Sequence, residues 1–214
     1  MGSLTTWILV GSGPSVVNTL PAVWPQCRPC GVITGNAGIK LVPLPDVYVC
    51  CDMVATRRYA DAARVAQHNG AHLVTLKRKQ VALIERDCEW YDEFLELGRG
   101  PATSETWGEF RYTGPLMAEY CCRRLGARDI VLVGCDGYQD GQDEYFDQPD
   151  RPSNKVLSST PDQRTFQTLK PGFEAVARAF PDVAFHHVGP ASWTVDIPNW
   201  HAVHEVTTCS RQYA

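Results

Sequence analysis

The chain has 214 residues, of which 44% are hydrophobic and 21% charged; this is the balance of a globular protein and excludes a disordered or collagen-like chain. Twenty Lys and Arg against 24 Asp and Glu leave a net charge of −4, so the bulk composition does not advertise nucleic acid. At about 150 residues per domain the length fits a single domain over residues 1–214, with room for a sizeable core.

Local basic excesses at Arg57, Arg58 and Arg64, at Lys77, Arg78 and Lys79, and at Arg123, Arg124 and Arg128 read as solvated helix faces. The nine cysteines are odd in number and include the neighbours Cys50–Cys51 and Cys121–Cys122, which argues against a disulfide framework. Cys27 and Cys30 form a CxxC without a second pair or His at zinc-finger spacing, so buried thiols in a reducing compartment are expected. The N-terminus has no basic region, and the early apolar run at 7–10 is far too short to span a bilayer. The expectation is a soluble, cytoplasmic protein with no membrane segment.

Residues 6–10 form a short β-rich apolar run ending at Gly11, which reads as a fully buried strand. Similar runs recur at 31–34, 47–51, 72–76, 129–134 and 183–188. Between them, 53–68 has helical spacing of apolar positions with Gly70 as its stop, and 116–125 behaves likewise before Gly126. Thr160, Pro161 and Gln163 make a capping box for a helix running toward Phe180, which Pro171 and Gly172 would kink or split. Residues 80–113 show no readable pattern. Strands alternating with helices imply an α/β fold: one doubly wound, mostly parallel sheet with helices on both faces.

In such a sheet ligands bind outside the carboxyl ends of the strands, so the residues closing each strand carry the chemistry. After the first strand comes Gly11-Ser12-Gly13-Pro14-Ser15, where two glycines let backbone approach a ligand and Ser15 begins a helix whose free N–H groups favour a phosphate. Val16 stands where the dinucleotide fingerprint needs Gly, and a tight turn with an N-cap Ser explains the same residues. The second strand closes at Asn36, which offers donors and acceptors to a base edge or ribose. Asp52 after the third strand accepts from sugar hydroxyls or holds a metal; either residue is also an ordinary turn former. The last such strand runs into Gly134-Cys135-Asp136-Gly137-Tyr138 and a polar loop to Phe146, the place for an active-site segment or for a plain acidic surface loop. One of His186 and His187 should face inward as a core histidine. His201 and His204 are three apart, as metal ligands on a helix would be, but without an HExxH pattern.

Taken with the order of these strand ends, GSGPS, the Asn after the second strand, and a helix begun by Thr113-Gly114 leading to GARDIVLVGCDGYQ resemble the compact sialyltransferase-like glycosyltransferases of bacterial lipooligosaccharide synthesis. GCDGYQDGQDEYFD at 134–147 is the most specific segment of the likeness, which touches most of 6–147 in islands. Residues 45–52 are also similar to a group that includes flagellin-modifying glycosyltransferases and an archaeal hydroxymethyldihydropterin diphosphokinase. The resemblance implies a Rossmann-like fold and a nucleotide-sugar donor, CMP-linked, with a hydroxyl on a glycan, a protein or a hydroxymethylated nucleic-acid base as acceptor. By the same resemblance Gly11, Ser12, Gly13 and Ser15 would line the nucleotide, Asn36, Asp52 and Asp136 would hold it, and Thr113 and Gly114 would lie against the base. Arg111, Tyr138 and Tyr145 would stabilise the departing phosphate, whose charge grows as the glycosidic bond breaks.

Two features depart from that family. The Tyr138-to-Tyr145 spacing is one residue longer, and the family's general-base His is missing from 151–159. His187 or Asp143 would then take that role, since a base need only reach the acceptor hydroxyl. The C-terminal membrane-associating extension of some relatives is not seen in the sequence, and small nucleotide-sugar enzymes of this kind often form homo-oligomers. A different class remains open: a pterin or nucleotide pyrophosphokinase with Mg²⁺ on Asp52, Asp136 and Asp140, or a nucleotide-binding module without catalysis.

Overall fold

The computed structural model describes residues 4–77, 89–109, 112–136, 146, 169–189, 193 and 195–203. Eight strands form one sheet: β1 (Thr6–Val10), β2 (Gly31–Gly35), β3 (Val47–Val49), β4 (His72–Leu76), β5 (Glu93–Leu95), β6 (Asp129–Val133), β7 (Ala184–Val188) and β8 (Trp200–Val203). Their order is β5-β4-β3-β2-β1-β6-β7-β8 and every pairing is parallel. The central strands are runs of β-branched and aliphatic side chains because a parallel sheet is buried on both faces; Ile8, Leu9 and Val10 of β1 are fully enclosed.

Period-2 alternation sorts these side chains into two layers. Leu9, Ile33, Val49, Val74, Leu132 and Phe185 share one layer with α4 (Thr113–Arg123) and α5 (Leu169–Ala179). On the other face Ile8, Val10, Val32, Val131 and Val133 pack with α1 (Val16–Val23), and Tyr48 and Leu73 pack with α3 (Ala60–His68). The chain therefore winds outward from β1 with α1, α2 (Met53–Arg58) and α3, then recrosses through α4 to β6 beside β1. The order reverses between β1 and β6, which makes that crevice the topological switch point of a doubly wound, Rossmann-like fold.

Several elements differ from the sequence pattern. The helix expected over 53–68 is two helices broken at Tyr59, whose ring is 4% exposed and packs into the core beside Ala63 and Leu73. β3 ends at Val49, leaving Cys50 and Cys51 beyond it. β5 lies in the stretch where no strand is legible, and β8, which carries His201, is a strand and not the helix that paired metal ligands would need. α5 runs unbroken through Pro171 and Gly172; Thr160, Pro161 and Gln163 lie outside the described residues. Gly70 and Gly126 stop their helices in the left-handed region, with φ of 98° and 64°. Among the described residues no helix is long and apolar enough to cross a membrane.

Candidate functional site

Gly11-Ser12-Gly13-Pro14-Ser15 crosses the switch point, and its polar groups are tied to the ends of neighbouring strands. Gly11 donates its N–H to the Val133 carbonyl and Gly13 to that of Gly134, each at 2.8 Å. Ser12 Oγ donates to the Gly35 carbonyl at 3.2 Å. Ser15 donates its backbone N–H to Asp136 Oδ2 at 2.7 Å and its hydroxyl to Asp136 Oδ1. The glycines are needed for these approaches: a Cβ on Gly11 would stand 2.3 Å from the Gly134 oxygen, and one on Gly13 2.6 Å from Asp136 Oδ2.

The sequence suggests backbone drawn close to a ligand phosphate. In the structure the anion at the start of α1 is the protein's own Asp136, seated where the helix dipole favours negative charge. Burial pushes the Asp136 carboxyl above its ordinary value, against the pull of the two Ser15 hydrogen bonds. Phe146 donates its N–H to the Ser12 carbonyl at 3.1 Å, and its ring packs against the clusters of both α1 and α3.

A second group of polar side chains closes β2 and β3. Asn36 has φ +48°, the left-handed region that Asn tolerates better than other non-glycine residues. Its Oδ1 accepts from Thr113 Oγ1 at 3.4 Å and from Cys50 Sγ at 3.6 Å, and its carbonyl accepts from the Tyr48 hydroxyl at 3.5 Å. Thr113 Oγ1 also meets Cys51 Sγ at 3.2 Å. This convergence depends on Gly35, where a Cβ would stand 2.6 Å from Thr113 Cγ2 and block the approach of α4. Gly114, the next residue along α4, likewise admits a close neighbour, Phe173 of α5, at 3.0 Å from a built Cβ. Burial raises the Cys50 thiol, so it stays protonated and able to donate.

Of the residues singled out in the sequence, Gly11, Ser12, Gly13, Ser15 and Asp136 form the switch-point group, and Asn36 and Thr113 the second group. Asp52 is exposed and caps α2, its Oδ1 accepting from the N–H of Val54 at 2.7 Å and of Ala55 at 3.3 Å. His187 is 3% exposed in the α5-side core, its ring stacked on Trp193 at 4.5 Å and edge-on to Trp200 at 5.8 Å; His186 is its less buried neighbour on the opposite face. Arg111, Tyr138, Tyr145, Asp140, Asp143 and His204 lie outside the described residues. Sequence reading overlooked Cys50, Cys51 and Thr56, which line the second group; their one signal was a thiol pair directly after a buried strand.

Among the described residues no group of three His, Cys, Asp or Glu is placed to hold a metal ion. The seven described cysteines are free thiols, with Cys50, Cys121 and Cys135 buried and Cys27 and Cys30 half-buried. A cleft of about 450 Å³ lies at the far end of α4, lined by Ser104, Trp107, Cys122, Arg123, Arg124 and Phe180. Its central cation is already engaged: Arg123 donates to Glu119 and to the carbonyls of Thr103, Ser104 and Thr106, and its guanidinium lies over the rings of Trp107 and Phe180. Compared with protein-family models, curated proteins and solved structures, the chain matches none.

Proposed function

We propose that the chain is a glycosyltransferase that moves a sugar from a CMP-linked donor to a hydroxyl acceptor. The observation that carries this reading is the convergence, outside the carboxyl ends of β1, β2 and β3, of the GSGPS loop, a left-handed Asn36 and the first residue of α4. That is where an open α/β sheet takes a nucleotide. The chemistry asked of the protein is stabilisation of a nucleoside monophosphate as it gains charge, a task for fixed hydrogen-bond donors and a cation. Tyr138, Tyr145 and Arg111 are the residues the family resemblance puts in that role. Phe146, next in sequence to Tyr145, donates its N–H to the Ser12 carbonyl of the GSGPS loop.

The geometry favours this over a Mg²⁺-dependent pyrophosphokinase, because Asp136 already receives two donors from Ser15 and Asp52 is committed to capping α2. His187, stacked beneath Trp193, is not assigned the base.

A thermal-shift panel of CMP, UMP, UDP, GDP, AMP and ATP, each with and without Mg²⁺, tests the reading. A ligand at a hundred times its Kd adds about 2.7 kcal/mol to stability, so selective stabilisation by CMP without metal is the expected result. Stabilisation by ATP with Mg²⁺ alone would replace it with the pyrophosphokinase. For turnover, the double variant Arg111→Ala, Tyr138→Phe should lose at least about a hundredfold in transfer rate, the scale of removing one preorganised donor; unchanged transfer would remove both residues from the mechanism.

A further inference from the structure

An asparagine amide can recognise a ligand through its oxygen, which accepts, or its NH2, which donates twice. Which face is available depends on what the protein already holds. At Asn36 the oxygen is engaged on two sides, by the Thr113 hydroxyl at 3.4 Å and the Cys50 thiol at 3.6 Å. Both donors are themselves held. Thr113 is 7% exposed at the start of α4 and meets Cys51 Sγ at 3.2 Å. Cys50 is fully buried, and its one S–H proton faces Asn36 Oδ1 and the Asp52 carbonyl, each at 3.6 Å, and Thr56 Oγ1 at 3.3 Å, the Thr56 hydroxyl itself donating to the Asp52 carbonyl at 2.9 Å; Thr113 is therefore the steadier of the two donors. The Asn36 amide nitrogen has no acceptor among the described residues, and the residue is half-buried.

Resting on the nucleotide reading above, we infer that Asn36 reads the ligand's base as a donor only, with Thr113 and Cys50 as positioning residues that hold its NH2 toward two adjacent acceptors, the O2/N3 edge of a cytosine. The selectivity follows from the other bases. Uracil puts an N3–H between its carbonyls, adenine sets an amine beside N1, and guanine has N1–H on its pairing edge. Only the N7/O6 edge of guanine offers a comparable acceptor pair.

The test is the Kd of CMP, UMP, GMP and AMP, by calorimetry on the full chain, for the parent, Asn36→Asp and Thr113→Val. The parent should prefer CMP to UMP by roughly tenfold, about 1.4 kcal/mol, the scale of one hydrogen bond made against one left unmade. Asn36→Asp, which presents acceptors only, should lose or reverse that preference. Thr113→Val should lower the CMP-to-UMP ratio, because the amide is free to turn over; a merely structural Thr113 would weaken all four nucleotides alike. If Thr113→Val does not fold, Cys50→Ala asks the same question from the other donor. Equal weakening of CMP and UMP in Asn36→Asp would place Asn36 on phosphate or ribose and overturn the inference, as would a parent that prefers GMP. A parent that binds none of the four overturns the nucleotide reading as well, and so separates the two failures.

Discussion

At Asp136 burial and hydrogen bonding oppose each other, and burial wins: the carboxyl is 5% exposed and its pKa is raised despite two donors from Ser15. The folded chain therefore holds that proton more tightly than the unfolded chain does. The stability linked to it is complete below the ordinary carboxylate range and is lost as pH rises through the raised native value. Asp136→Asn removes the titration and keeps an oxygen for the Ser15 N–H and an NH2 for its hydroxyl. Urea unfolding across roughly pH 4 to pH 7 should show the parent losing stability relative to Asp136→Asn as pH increases. Asp136→Ala should cost about 1–3 kcal/mol at the acidic end of this range, the usual penalty for orphaning buried donors, and less as pH rises. Gly11 and Gly13 were legible as places where backbone comes close to something. What they approach was not, because Gly134 and Asp136 lie more than a hundred residues away in sequence and only the β1–β6 pairing brings them near.

Among the elements, the segment from Leu97 to Glu109 is held to α4 by side chains in place of backbone periodicity. Glu119 is fully buried and accepts from Arg123 Nε at 2.7 Å and from the Gly108 N–H at 3.0 Å, while the rest of the Arg123 guanidinium gathers the carbonyls of Thr103, Ser104 and Thr106. Removing one partner of a buried pair leaves the other charge uncompensated. Glu119→Ala should therefore cost roughly 3–5 kcal/mol in chemical denaturation, with proteolytic nicking appearing first in 98–109. A loss under 1 kcal/mol would show that the loop is held some other way. This also explains why the stretch up to Thr113 had no readable pattern: its anchor is an i,i+4 pair inside a helix that, in sequence, looks like an ordinary surface pair. The buried strands β1, β4 and β6 were legible nearly to the residue because burial on both faces demands unbroken apolar runs. The break at Tyr59 was not, since nothing local distinguishes an aromatic turning into the core from one continuing a helix.

Across the whole molecule, the sheet order is what makes a single crevice, between β1 and β6, the place where loops from both halves meet. The edges of that sheet were the least legible region, because β5 is three residues long and β8 four. The β8 edge carries a pH dependence opposite in sign to that of Asp136. His186 on β7 is directly paired with His201 on β8, their rings 5.2 Å apart, and Asp129 Oδ1 lies 3.6 Å from His186 Nε2. Burial first, and the His201 ring second, push the His186 pKa below its ordinary value, with Asp129 only partly restoring it. The unfolded chain then takes up this proton more readily than the folded one, so the linked stability is complete above the ordinary imidazole value and is lost as pH falls through the lowered native one. Acidification from about pH 7 to pH 5 should thus weaken the parent relative to His186→Gln, whereas over the same range Asp136 pulls the other way. Comparing the parent, each single variant and the double variant separates the two, because residues on distant elements with no shared partner should add. Trp200, 7% exposed against Phe185 and Phe173 and next in sequence to His201, is one of six tryptophans, so the local reading is the red shift on acidification that the parent shows and Trp200→Phe lacks, which should precede loss of the far-ultraviolet signal of the sheet. Coincident transitions would mean that protonation at this edge unfolds the molecule as one unit.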